Sequence, residues 1–162
     1  MKQLLVLRHA KSSWKDESLR DFDRPLNKRG KKDAPLMGEL LANLDLTPDL
    51  IITSAATRAR LTAEAVADNS GYDGDIEATR ALYMAMPDDY VAVLNQVADL
   101  NSLVMVVGHN PGIEDFVHDL VGGWERMPTA ALAHIELDIE TWQSLDLDTP
   151  GKLLNIWLPK EL

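Results

Sequence analysis

The chain contains no cysteine. That absence excludes a disulfide framework, a thiolate nucleophile and a cysteine-ligated zinc site, so any covalent catalysis must use another side chain. It also lacks a long hydrophobic run, since its longest apolar stretches, such as Leu103–Val107, fall far short of the roughly 20 residues a bilayer span needs. No basic segment leading into an apolar one opens the chain, because Arg8 and His9 interrupt the first apolar run almost at once. A cytoplasmic location is expected, with no membrane partner. Positive charge is in the minority, and a net charge of −10 disfavours nonspecific association with nucleic acid. Internal repeats, low-complexity tracts and linkers are missing too. The 162 residues are read as one domain, 1–162, with a single core.

Charge is uneven along the chain. Residues 1–32 hold ten Lys and Arg against four acids, a balance of +6 that leaves −16 for the remainder. A basic segment on an acidic body is either a solvated face or an electropositive mouth that draws in an anion.

Residues 3–7 (QLLVL), 50–53 (LIIT) and 103–107 (LVMVV) are short, nearly continuous apolar runs, as expected of strands covered on both faces. Between the first two, Ala34, Met37, Leu40, Leu41 and Leu44 recur at helical spacing, with Pro35 either starting the regular part of that helix or kinking it. Ser54 is the expected N-cap of a second helix that ends at Asn69, Ser70 and Gly71. Residues 87–100 predict a third helix with Pro87 near its start, and the segment NPGIEDFVHDLVGG a fourth, closed by Gly122 and Gly123. Residues 132–138 and 153–158 read as two further strands, the first with a polar face. Strands alternating with helices predict a three-layer α/β/α sandwich with a mostly parallel central sheet.

Sheets of this kind bind ligands beyond the carboxyl ends of their strands. Arg8 and His9 follow the first run, Ser54, Thr57 and Arg58 the second, and Gly108, His109 and Asn110 the third. Two arginines and two histidines around one crevice suit a compact dianion such as a phosphoryl group. Guanidinium forks match phosphate oxygens bidentately, and a neutral imidazole beside them can attack phosphorus and form a phosphoenzyme. A second imidazole, if protonated, can stabilise charge in the transition state. No metal or other cofactor is required once arginines neutralise the phosphoryl charge.

The ordered set LRHAKSSW, SAATRARLTAE and VVGHNPG resembles the histidine phosphatase superfamily, whose hallmark is an Arg-His pair after the first strand. RHAKSSW, DFDRPLNKRG and the overall length are similar to the SixA-type phosphohistidine phosphatases, a short branch of that superfamily. The resemblance spans roughly residues 4–115 and implies a phosphoglycerate mutase-like fold. It implies His9 as the phosphorylated nucleophile, Arg8 and Arg58 as phosphoryl ligands, and His109 as the second pocket histidine. Ala10 and Lys15 stand where mutase-like members carry Gly and Asn, so the mutases' substrate contacts do not transfer. Lys15 is retained as a candidate substrate contact.

Mutases and many phosphomonoesterases also supply a Glu or Asp acid after the third strand. Here Leu82, Tyr83, Met84 and Ala85 offer no carboxylate, and Asp88 and Asp89 fall late, at a helix start. An alkoxide leaving group is strongly basic and needs a proton as it departs, whereas imidazole, with a conjugate-acid pKa of about 6.5, leaves readily. The expected substrate is therefore phosphohistidine on a signalling or phosphotransfer protein, with inorganic phosphate as product. A small-molecule phosphomonoesterase using Asp88, Asp89 or water as its acid, and a phosphoprotein-binding module that has lost turnover, are the rival readings.

The remaining polar residues have plainer expected roles. His118, His134, Arg60 and Lys11 read as packed or surface groups, and Asp21, Asp23 and Arg24 as an ion-paired turn propping the mouth, with Arg24 alternatively reaching the substrate. Trp14 lies near the mouth by sequence, while Trp124, Trp142 and Trp157 read as packing residues. GHNPG lacks the Gly-Lys-Ser/Thr ending of a nucleotide-binding loop.

Overall fold

The computed structural model describes residues 1–162. Six strands, β1 (Lys2–Arg8), β2 (Leu50–Ser54), β3 (Ile76–Thr79), β4 (Leu103–Gly108), β5 (Leu132–Leu137) and β6 (Gly151–Trp157), form one sheet in the order β3-β2-β4-β1-β5-β6. The neighbours among β1 to β4 run parallel, and β5 and β6 are antiparallel additions. Four helices cover it, α1 (Lys28–Asn43), α2 (Thr57–Ser70), α3 (Pro87–Leu94) and α4 (Gly112–Val121). This is the expected α/β/α architecture.

The sheet separates two apolar clusters where one core was expected. Alternate residues of β1 explain the split: Leu5 and Leu7 join Met37, Leu41, Ala59 and Ala63 of α1 and α2, while Leu4 and Val6 join Tyr90, Leu94, Phe116 and Val117 of α3 and α4. Fully burying a side chain such as Leu41 or Phe116 contributes about 1.5–3 kcal/mol. No helix is long and apolar enough to cross a membrane.

Several local expectations are corrected. The helix of residues 28–43 runs through Pro35 without interruption and opens on Asn27, whose side chain accepts from Gly30 N–H at 2.9 Å; Leu44 lies past its end and is exposed. Ser54 ends β2 rather than capping α2, whose first helical residue is Thr57. The third helix stops at Leu94, with Asn95 as its C-cap: its backbone N–H still bonds Val91 C=O at 2.8 Å, and its side-chain amide donates to the carbonyls of Trp142 and Leu145. Residues 132–137 have no polar face toward solvent: β6 is the edge strand, and β5 lies covered beside it. The short edge strand β3 is absent from the sequence-based reading.

Candidate active site

Strand register brings the two histidines together. Arg8 on β1 pairs with Gly108 on β4, so His9 and His109 leave adjacent parallel strands at the same level, and His9 N–H donates to Gly108 C=O at 3.0 Å. Their ring centroids are 5.1 Å apart. The chain goes from β1 past β4 to β2 and β3 before returning, which makes β1/β4 the point where strand order reverses. Gly108 is required there, because a Cβ would collide with the Tyr90 hydroxyl packed against it. Arg58 arrives from the first turn of α2, next to β2.

The hydrogen bonds assign atoms to tasks. His9 Nδ1 lies 2.7 Å from the Ala10 carbonyl, which only accepts, so Nδ1 carries the proton and Nε2 keeps its lone pair. Ala10 is itself fixed: its N–H donates to the Thr62 hydroxyl at 2.9 Å, and that hydroxyl donates to Arg58 C=O at 2.7 Å. His109 Nε2 lies 2.8 Å from Ser54 Oγ, which also accepts from Ala56 N–H at 3.2 Å. When the serine donates to Nε2, His109 presents Nδ1–H, a buried group with no partner in the protein. Four of the five buried side-chain polar atoms without a partner belong to this region, Arg8 Nε, Arg58 Nε, His109 Nδ1 and Asn110 Oδ1. Three of them are potential donors, the pattern of a site built for an anion.

Burial and neighbouring positive charge control protonation. Desolvation, followed by the charges of His109, Arg58 and Arg8, lowers His9 to about 3. Desolvation and then Arg58 lower His109 to about 4. Both rings are neutral near pH 7 in the empty site, so a protonated His109 requires a bound dianion. No three His, Asp or Glu side chains come together as a metal site would need.

Asp21 closes the mouth. It opens a short 3-10 turn, Asp21–Asp23, and receives Arg58 Nη2 at 3.0 Å, Tyr83 Oη at 2.7 Å and Arg24 Nε at 3.1 Å. Partial desolvation opposes ionisation, but the hydrogen bond from Tyr83, the charge of Arg58 and the bonds from both arginines hold its carboxyl at about 2. Asp21 is a fixed carboxylate and no proton donor. Arg24 is buried, bonded to Ser12 Oγ at 2.7 Å and stacked on Trp14, so its role is to brace this turn.

Arg58 and His109 line a cavity of about 460 Å³ together with Asp21, Met84, Met86 and Asp115. Arg8 borders a neighbouring cleft with Glu114, Arg126 and Lys160 and donates to Met127 C=O at 3.1 Å. A cavity of about 480 Å³ under β3 and the end of α3 contains none of the expected site residues. Lys15 is exposed and lies outside the cavity lining, as do Lys11, Arg20, Lys28, Arg29, Lys31 and Lys32. Most of the basic segment is therefore a solvated face, with Lys2, Arg8 and Arg24 turned inward. Asp89 accepts from Met86 N–H at 2.8 Å to cap α3, and Asp88 is not in the cavity. Arg60 donates to Ala55 C=O, His118 stacks on Trp124, and His134 bonds Gln3, all away from the site. Thr62, Tyr83 and Asp115 are the residues at the site that sequence reasoning missed, and Ser54, placed at the crevice from the sequence, was read there as a helix cap rather than as a partner of His109.

Neutral imidazole, paired guanidiniums and unsatisfied donors at a sheet's switch point define a site for phosphoryl chemistry. A model of the histidine phosphatase superfamily (branch 1) matches residues 4–83, which include Arg8, His9 and Arg58 but not His109. An uncharacterised chloroplastic protein of Arabidopsis thaliana is 35% identical, over 93% of this chain and 73% of its own. An uncharacterised Mycobacterium tuberculosis protein is 40% identical over 106 residues, and the chain spans 63% of its length. Among solved structures, SixA from Agrobacterium tumefaciens is 29% identical with a TM-score of 0.83 over 98% of both chains. The protein histidine phosphatase SixA complexed with tungstate, 23% identical, shares the fold with a TM-score of 0.84. The chain belongs to the histidine phosphatase superfamily and has the fold of its SixA members.

Proposed function

We propose that this phosphatase removes the phosphoryl group from phosphohistidine displayed on another protein, through a covalent intermediate on His9. The observation that carries the substrate class is the state of the carboxylates: Asp21 is held ionised at about 2 and Asp89 is committed to a helix cap. Neither can protonate an alkoxide, which leaves Asp115 as the one cavity carboxylate without such a tie and favours a leaving group that needs no acid. The SixA structure of the same fold is that of a protein histidine phosphatase, which accords with this reading.

In the first step His9 Nε2 attacks phosphorus and the bond between phosphorus and the substrate nitrogen breaks. Its electron pair returns to the substrate ring, which enters as the phosphoimidazolium, protonated on its other nitrogen, and therefore departs as neutral imidazole. Arg8, Arg58 and His109 Nδ1–H hold the phosphoryl oxygens and stabilise the charge that develops on them. In the second step water attacks phosphorus, the bond to His9 Nε2 breaks, and dihydrogen phosphate leaves with both water protons. Throughout, the Ala10 carbonyl keeps the His9 ring in its Nδ1–H form.

Asp115 supports a second reading, because it lines the cavity with Arg58 and His109. As a proton donor it would make the protein a phosphomonoesterase of small alkyl phosphates. Rates on a phosphohistidine-bearing protein and on an alkyl phosphate, measured side by side with EDTA present, separate the two. Phosphate release from the phosphoprotein alone, lost in His9→Ala, is expected. Fast hydrolysis of the alkyl ester, lost in Asp115→Asn, would favour the second reading, and no release from either would favour a binding module.

A further inference from the structure

One wall of the cavity is apolar and has no part in the chemistry. Met84 and Met86 are 77% and 69% exposed, yet they line the same cavity as Arg58 and His109. Met84 also holds a backbone φ of +52°, a left-handed conformation uncommon outside glycine. Such a conformation persists where its surroundings impose it. Here Tyr83 is tied to Asp21 through its hydroxyl, and the Ala85 carbonyl packs so closely on Gly112 that a Cβ there would collide with it. The segment is thus pinned on both sides of Met84, with that side chain left in solvent.

We propose that Met84 and Met86 form a docking surface for the apolar flank of the protein segment that carries the phosphohistidine, a proposal that rests on the phosphohistidine reading above. The surface is continuous with the phosphoryl pocket, so a side chain beside the phosphorylated residue meets it when the phosphoryl group reaches Arg58 and His109. Unbranched thioethers adapt to apolar partners of different shape. Charge narrows the partner further. Asp115 lines the cavity without a salt bridge, whereas Asp21 is paired with Arg58 and Arg24, so the one uncompensated carboxylate disfavours an acidic flank and an apolar one fits. A free phosphohistidine has no flank and gains nothing from the methionines.

The test compares a protein phosphorylated on a histidine flanked by apolar side chains with free phosphohistidine on wild type and on Met84→Ser/Met86→Ser. The double variant is expected to lose about tenfold in kcat/KM on the phosphoprotein, through KM, and to stay within about twofold on free phosphohistidine. Met84→Gly, which removes the side chain while relieving the backbone, is expected to show the same one-sided loss with unchanged or raised thermal stability. Equal losses on both substrates, or none on either, would overturn the docking surface. Wild type that turns over free phosphohistidine but not the phosphoprotein would overturn it as well. Wild type inactive on both would instead remove the phosphohistidine reading on which it rests.

Discussion

The floor of the site and its rim are built differently. His9 and His109 sit where backbone pairing between β1 and β4 places them, and the hydrogen bonds of their rings run to main chain or to a buried hydroxyl. The rim, made of Asp21–Asp23 and Tyr83–Met86, is held by side-chain bonds centred on Asp21 and exposes Met84 and Met86. The floor fixes the geometry of a reaction to within the tolerance that covalent chemistry demands. The exposed methionines of the rim can change partner preference without disturbing that geometry, as loops on a rigid scaffold generally do, whereas Asp21 and Tyr83 also touch Arg58 and His109.

This contrast predicts a graded response to mutation. The largest effect belongs to the floor: His9→Ala removes the only proposed nucleophile, and phosphate release is expected to fall by at least about a thousandfold in a steady-state assay. Next comes Ser54→Ala. It leaves Nε2 of a buried His109 without its partner and frees the tautomer, so kcat is expected to fall about tenfold while KM changes little. A KM effect without a kcat effect would place Ser54 in substrate binding.

Acid exposes the same floor through stability. His9 and His109 are held at about 3 and about 4, below their ordinary value, so the unfolded chain binds more protons than the native one once pH drops through about 6.5. The native state therefore loses stability as pH falls toward 4, by about 2 kcal/mol for each ring at pH 5, and regains it as pH rises. Chemical denaturation of His109→Gln is expected to show a flatter pH dependence than wild type. The smallest effect is at the rim: Asp21→Asn removes the charge that compensates Arg58, and inorganic phosphate is expected to inhibit about threefold more tightly. Weaker inhibition would mean that orientation of Arg58 by the carboxylate outweighs its charge.

The floor was also the more legible region. Continuous apolar runs mark β1, β2 and β4 because strands covered on both faces have no polar alternation to disguise them, and their ends carry Arg8, His9, Arg58 and His109 in plain order. The rim was less so. β3 escapes notice because an edge strand of four residues, IEAT, has one strongly apolar member. The overrun of α3 has a different cause: the apolar pattern continues past Leu94, while Asn95 is claimed by carbonyls from a segment nearly 50 residues away. Ser54 follows the local rule for an N-cap, but its hydroxyl is recruited by His109 at the end of the neighbouring strand. Asp115 looks like any solvent-facing carboxylate on an amphipathic helix until the cavity is seen beside it. Tyr83 gave no local signal, since its partner Asp21 lies 62 residues earlier.

The central claim is a phosphoryl group carried on His9, and rapid quenching tests it most directly. The enzyme would be mixed with a radiolabelled phosphohistidine protein, stopped in alkali, and its labelled peptide identified. An acid-labile, alkali-stable label on the peptide that contains His9, absent from His9→Ala, is the predicted result. Phosphate released with no label on the enzyme at any time, or label on another residue, would contradict it.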